Sequence, residues 1–246
     1  METLKDDFTG RIAWLVGATG TLGATMAATL LARGATLAIS SRSPDKLTSL
    51  AQTLGGNTLA FPLDLKSDES VKSAARQIKE QVGNVDLLVV SVAVPAFGEF
   101  LDLDDAAFLD AIETKYLGSL RAIRSVLPGM IDHKFGRIVV LSGGGGTIPR
   151  PVHLPGGGAN AALELVAKGL AKRYGNDGIR VNIVAPGPIA SPRMEQIVAA
   201  TNARGVVEAG LPIGQPKDVA EAVAYLLSSR SEFINGTVLK VDGGVK

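Results

Sequence analysis

Seven short apolar runs, each separated from the next by a turn and a stretch of helical periodicity, constrain this chain more than any other feature of its sequence. RIAWLV (11–16), TLAIS (36–40), residues 57–62, DLLVVS (86–91), RIVVLS (137–142), RVNIVA (180–185) and residues 237–241 read as strands. Most are apolar almost without interruption, the pattern of a strand covered on both faces. The intervening stretches carry helix signals. The first helix ends at Gly34, which suits the left-handed residue after a C-cap. Ser43 precedes Pro44 as an N-cap, and Ser67 precedes Asp68 and Glu69, whose charges favour the positive end of a helix. A long helix from about 104 to 133 places Phe108, Ile112, Leu120, Ile123 and Leu127 at helical spacing. A Gly/Pro-rich loop leads into a helix over 159–174. Residues 191–210 form a small helical excursion, and Pro216 opens a helix to about 229. This alternation predicts an α/β fold: one domain over 1–246, a doubly wound parallel sheet of about seven strands, and helices on both faces.

Composition removes several function classes. The chain has no cysteine, which excludes a disulfide scaffold and thiolate-held zinc. His133 and His153 are its only histidines, so no metal is expected. A formal charge of +1 gives no basis for nucleic-acid or membrane-surface binding. The opening METLKDDFTG is polar and mixed in charge, unlike a secretory leader, and no apolar run approaches the ~20 residues of a membrane span. A cytoplasmic location is the expectation.

The segment GATGTLG (17–23) lies between the first strand and the first helix. Gly17, Gly20 and Gly23 let the backbone turn sharply and approach a diphosphate, while the helix N-terminus beyond them offers free N–H groups and a positive dipole end. A tight turn with no ligand is the competing reading.

With the strand–turn–helix context in place, the chain resembles the short-chain dehydrogenase/reductase family. SSRSPDKL (40–47), PLDL (62–65), DLLVVS, GRIVVLS (136–142), IRVNIVAPGPI (179–189) and LKVDGG (239–244) follow in family order over nearly the whole chain. The resemblance implies a Rossmann-type fold and an NAD(P) cofactor held by Gly17, Thr19, Gly20, Leu22 and Gly23. It further implies contacts from Asp64 and Leu65 on the adenine side and from Pro186, Gly187 and Ile189 on the nicotinamide side. Ser41, followed by Arg42, stands where an acidic residue would select NAD; a hydroxyl and a guanidinium suit a 2′-phosphate, so the reading leans to NADP. Arg42 also reads as a solvated loop residue.

Departures from the family pattern are concentrated at the chemistry. Val16 replaces a usual Thr, and Val90-Ser91-Val92-Ala93 replaces Asn-Asn-Ala-Gly. Counting along the motifs places Lys115 at the family's Asn, Gly143 at its Ser, Gly156 at its Tyr and Asn160 at its Lys, with Ala161-Ala162-Leu163 anchoring the register. A positioned general acid is worth roughly 10²–10⁴ in rate, and Gly156 supplies none. A divergent branch of the family also carries Lys and Asn at positions 115 and 160, with a Tyr three residues before the usual Tyr position of 156, here His153. Lys115, Ser142, His153 and Asn160 therefore form a candidate replacement site, with His153 as the acid because imidazole titrates near neutrality. The bland alternatives are a solvent-facing loop His, a helix-surface Lys and a strand-terminal Ser.

A cofactor-binding sensor with no chemistry is one open reading, and two further functions follow from the resemblance. One is an NAD(P)(H)-dependent oxidoreductase interconverting a secondary alcohol and a ketone. The other is a degenerate subunit paired with a paralogue that keeps the Ser–Tyr–Lys set, similar to the hetero-oligomeric acyl-CoA dehydrogenase of anaerobic toluene (benzylsuccinate) degradation. Either implies a small-molecule substrate, an alcohol or ketone or an acyl-CoA, and a homo- or hetero-oligomer, dimer or tetramer, built through the two long helices.

Overall fold

The computed structural model describes residues 8–192, 194–195 and 212–244. Its centre is a seven-stranded parallel sheet of β1 (Ile12–Val16), β2 (Thr36–Ser40), β3 (Thr58–Ala60), β4 (Leu87–Val90), β5 (Gly136–Leu141), β6 (Ile179–Pro186) and β7 (Val238–Val241). The strands lie in the order β3-β2-β1-β4-β5-β6-β7. The chain runs outward from β1 to β3 and then crosses back to lay β4 on the other side of β1. The order thus reverses between β1 and β4, and in such sheets ligands occupy the crevice beyond the carboxyl ends at that point.

Strand alternation builds two cores. Along β1, Trp14 and Val16 point to one face, into a cluster with Leu88, Ile138 and Val181. Ala13 and Leu15 point to the other, with Leu37, Val89 and Val139. Helices α3 (Asp68–Gln81), α5 (Gly118–Asp132) and α6 (Leu154–Tyr174) cover the first face; α1 (Thr21–Ala32), α2 (Pro44–Leu54) and α7 (Pro216–Leu227) cover the second. Because both faces are sealed, the strands must be apolar throughout, as their sequences are. Trp14 is fully buried, so its indole N–H needs a partner; Ser40 Oγ on β2 accepts it at 2.9 Å.

The helix ends follow their signals with one exception. Gly34 adopts φ 91°, its N–H donating to the Leu31 carbonyl and that of Ala35 to Leu30, a Schellman arrangement. Ser67 accepts from the Ser70 N–H at α3. Ser43 occupies the N-cap of α2, but its side chain makes no cap bond; Pro44 already presets the first-turn backbone.

Two helices depart from expectation. The long helix over 104–133 is three segments: α4 (Asp105–Ala111), a π-helical turn (Ile112–Leu117) and α5. The π turn holds the buried Lys115. The helix expected over 159–174 begins five residues earlier, at Leu154, and includes three consecutive glycines. Glycine opposes helix by up to about 1 kcal/mol per residue, and packing offsets it here: a Cβ at Gly157 would press to 3.1 Å of the Gly145 carbonyl. The excursion expected over 191–210 lies outside the described residues apart from its first turn, where the Glu195 N–H donates to Ser191. Among the described residues no helix is long and apolar enough to cross a membrane.

Replacing Ser40 with Ala strands the Trp14 N–H in an apolar interior. The expected cost is about 1–3 kcal/mol, read as a lower urea midpoint with an unchanged slope.

Candidate active site

At the end of β1 the backbone turns at Gly17, with φ 85°. The N–H groups of Gly17 and Ala18 donate to the Ser40 carbonyl at 2.8 and 3.1 Å. A Cβ on Gly17 would overlap the Ser91 carbonyl, and one on Gly23 would overlap the Gly17 carbonyl. These two glycines therefore seat the turn and α1 directly against backbone. Gly20 differs: it is the extended N-cap of α1, offers no capping side chain, and a Cβ there would meet nothing closer than 3.8 Å. The first turn of α1 is thus presented bare on its open side, as an anionic diphosphate requires. Thr19 borders a shallow hollow of about 440 Å³ shared with Asp45 and Lys46 of α2.

The expected adenine-side residues lie beyond β2 and β3. Ser41 is buried, its hydroxyl donating to the Ser43 carbonyl at 3.4 Å, and Arg42 is exposed. Asp64 is exposed and folds its carboxylate onto the Lys66 N–H at 3.0 Å. Leu65 is buried beneath Gly118, and its carbonyl accepts from Arg121 at 2.8 Å, which ties this loop to α5.

At the topological reversal a cleft of about 240 Å³ opens. Leu22, Pro186, Gly187 and Ile189 line one side; Lys115, Ser142, His153 and Asn160 line the other. All four candidate catalytic residues thus meet the loop expected on the nicotinamide side, while Ser41, Arg42, Asp64 and Leu65 stand apart from this lining. Backbone bonds hold the loop: Gly187 N–H to Val241, Ala190 to Gly214, and Gly214 to Pro188.

The four residues are differently placed within the cleft. Lys115 is buried rather than a surface cation, and its Nζ donates to the carbonyls of Val92 at 2.9 Å and Ser142 at 3.0 Å. It braces the ends of β4 and β5. Ser142 directs its hydroxyl proton to Glu164 Oε1 at 2.9 Å, so that proton is not aimed at a ligand. His153 is half-buried at the N-cap of α6, not a solvent-facing loop residue. Its Nδ1 sits 2.8 Å from the Ala96 carbonyl, and its ring stacks on Phe97 with centroids 4.2 Å apart. A carbonyl only accepts, so Nδ1 carries the proton in this contact. A Cβ on Gly156 would overlap Nε2 and Cε1 of this ring. The imidazole therefore fills the space in which any side chain at 156 would begin. Asn160 is buried, and its Oδ1 has no partner among the described residues.

Glu164 and Arg150 complete the surroundings, and neither carries a signal of its own in the sequence. Glu164 lies four residues after Asn160, hence on the same helix face, and also takes the Thr147 hydroxyl at 3.4 Å. Arg150 is the only fully charged residue in the Gly/Pro-rich stretch 143–158, and its side chain lines the cleft.

Comparisons with known proteins find relatives over nearly the whole chain. A family model described as enoyl-(acyl carrier protein) reductase matches residues 17–246. The chain is 30% identical over 241 residues to the 3-oxoacyl-(acyl-carrier-protein) reductase FabG of Salmonella typhimurium, covering 97% of this chain and 98% of that protein. It is 32% identical over 249 residues to the oxidoreductase UcpA of Escherichia coli, covering 96% and 94%. A gluconate 5-dehydrogenase from Burkholderia cenocepacia, solved in complex with NADP and tartrate, superposes with a TM-score of 0.89 at 25% identity, covering 98% of this chain and 97% of that one.

The contact between positions 153 and 156 has a measurable signature. Gly156→Ala is expected to destabilise the protein by about 1–3 kcal/mol through overpacking against the imidazole. In a His153→Ala background the same change is expected to cost nothing, so the double-mutant cycle reads the contact directly.

Proposed function

The chain belongs to the short-chain dehydrogenase/reductase family of oxidoreductases, and on that premise we propose that it interconverts a secondary alcohol and a ketone, with His153 in place of the family's tyrosine as acid and base. The observation that carries this reading is the fit between 153 and 156: the His153 imidazole occupies the room in which a side chain at Gly156 would begin, and the spacing of the resemblance puts the family's tyrosine at 156.

The residues fit a nicotinamide dinucleotide. The bare N-terminus of α1 suits its diphosphate, and the unpartnered Oδ1 of Asn160 suits a ribose hydroxyl. When bound, the cofactor supplies or accepts the hydride. For reduction, Nε2 of the imidazolium donates a proton to the carbonyl oxygen; for oxidation, the neutral Nε2 takes the alcohol proton. The Ala96 carbonyl holds Nδ1–H throughout, and the Phe97 stack fixes the ring plane. Lys115 and Ser142 act as positioning residues, the first by bracing two strand ends and the second by anchoring Glu164. NADP is the preferred form: Ser41 removes the acidic residue that would select NAD, and exposed Arg42 offers a guanidinium to a 2′-phosphate.

A second reading draws on the same two bonds. With Lys115 held by backbone carbonyls and the Ser142 proton held by Glu164, the chain also suits a non-catalytic subunit that joins a Ser–Tyr–Lys paralogue, one acting on an alcohol or an acyl-CoA. Exposed Leu109 on α4 and Leu165 on α6 offer apolar contact on the helices such an oligomer would use.

The purified chain is expected to oxidise NADPH in the presence of a ketone. The reductive kcat/KM should fall as pH rises through the imidazole titration, because the imidazolium is the donor. His153→Ala should lower it by about 10²–10⁴-fold and abolish that pH limb. Activity seen only in a mixture with a tetrad-bearing paralogue, and indifferent to His153, would establish the subunit instead. Separately, equilibrium titration should show tighter NADPH than NADH binding, with Arg42→Gln reducing the preference by about tenfold.

A further inference from the structure

We propose that Arg150 forms a carboxylate-binding subsite, so that the substrate is an acidic carbonyl compound rather than a neutral ketone. The inference rests on the oxidoreductase reading above for the substrate's reacting group, and on the following geometry for its charge.

Arg11, Arg33, Arg121 and Arg137 are each paired, with Asp86, Glu221, Glu113 and Glu232 respectively. The guanidinium of Arg150 has no hydrogen-bond or ion-pair partner among the described residues, yet it lines the cleft instead of extending into solvent. One terminal nitrogen lies 4.0 Å from where a Cβ on Gly144 would stand, and the Pro186 carbonyl lies 3.8 Å from the same point. Gly144 therefore leaves an opening bordered by the guanidinium on one side and the nicotinamide-side loop on the other.

Arg150 is also tied to the acid–base residue. The His153 N–H donates to the Arg150 carbonyl at 2.9 Å, so a single turn carries both side chains into the cleft. The described lining includes Lys115, Arg150 and His153 but no Asp or Glu. An unpaired cation in such a wall attracts an anion, and the planar fork of Arg matches a carboxylate through two parallel hydrogen bonds.

The test compares acetoacetate with methyl acetoacetate, which share the reacting carbonyl and differ in charge, and adds calorimetric titration with succinate, which needs no turnover. In the wild type, kcat/KM is expected to be higher for the acid than for the ester. Arg150→Gln should lower the acid's kcat/KM by about 10–100-fold while leaving the ester's unchanged, and should weaken succinate binding by a similar factor. The unfolding midpoint should move little, since the guanidinium has no hydrogen-bond or ion-pair partner among the described residues. Arg150→Lys, with the charge but not the fork, should recover only part of the loss. Equal loss on acid and ester, or succinate binding indifferent to Arg150, overturns the proposal. Succinate binding that depends on Arg150 in a chain that reduces neither ketone upholds the anion subsite while counting against the ketone-reducing reading on which the substrate's carbonyl rests.

Discussion

A single buried ammonium sets the width of the crevice on which the rest of the site is built. β4 and β5 pair in register as far as Val90 and Val140 and then part. Beyond that point Lys115 Nζ takes the carbonyls of Val92 and Ser142 together. A charge removed from water is costly unless its donors are satisfied, so Lys115 stays buried only while both strand ends remain where they are. The same strand ends carry Ser91, whose carbonyl abuts Gly17, and Ser142, whose hydroxyl reaches Glu164 on α6. The turn at Gly17, the cleft floor and α6 are thereby referred to one charged group.

Around that brace the site is assembled by matched volumes. Gly156 accommodates the His153 ring, Gly143 lets Asn160 Nδ2 approach to 3.1 Å of its would-be Cβ, and Gly146 leaves room for the Glu164 carboxylate. Interiors pack like crystals, so a larger side chain on one member of such a pair demands a smaller one on the other. The turn at 17–23 is built from glycines and a helix end alone, whereas the wall around His153 and Asn160 depends on these reciprocal fits, two of them between residues seventeen or eighteen apart in sequence.

That contrast explains what the sequence disclosed. A strand buried on both faces must be apolar at every position, so β1, β4 and β5 are visible without knowledge of their neighbours, and the glycines of 17–23 announce a turn by local geometry alone. The convergence of Lys115, Ser142, His153 and Asn160 was accessible only through family spacing. Their individual circumstances were not. Helical periodicity assumes 3.6 residues per turn and conceals a π turn, so Lys115 reads equally as a surface cation. Gly156-Gly157-Gly158 reads as loop because propensity is local, whereas the packing that makes it helix comes from Gly145, a dozen residues away. Glu164 resembles any helix-surface carboxylate until Ser142 and Thr147 are seen beside it.

The π-helical turn at Ile112–Leu117 also bears on how this chain can vary in length. Each residue of an α-helix advances the direction of its neighbours by about 100°. Trimming one residue from this turn would restore regular winding, but it would swing either the Lys115 side or the apolar stripe of α5 away from the sheet. The segment is therefore fixed in residue count as well as in composition. A change of one residue in length would here uncouple the strand brace from the core, even though Lys115 itself was retained.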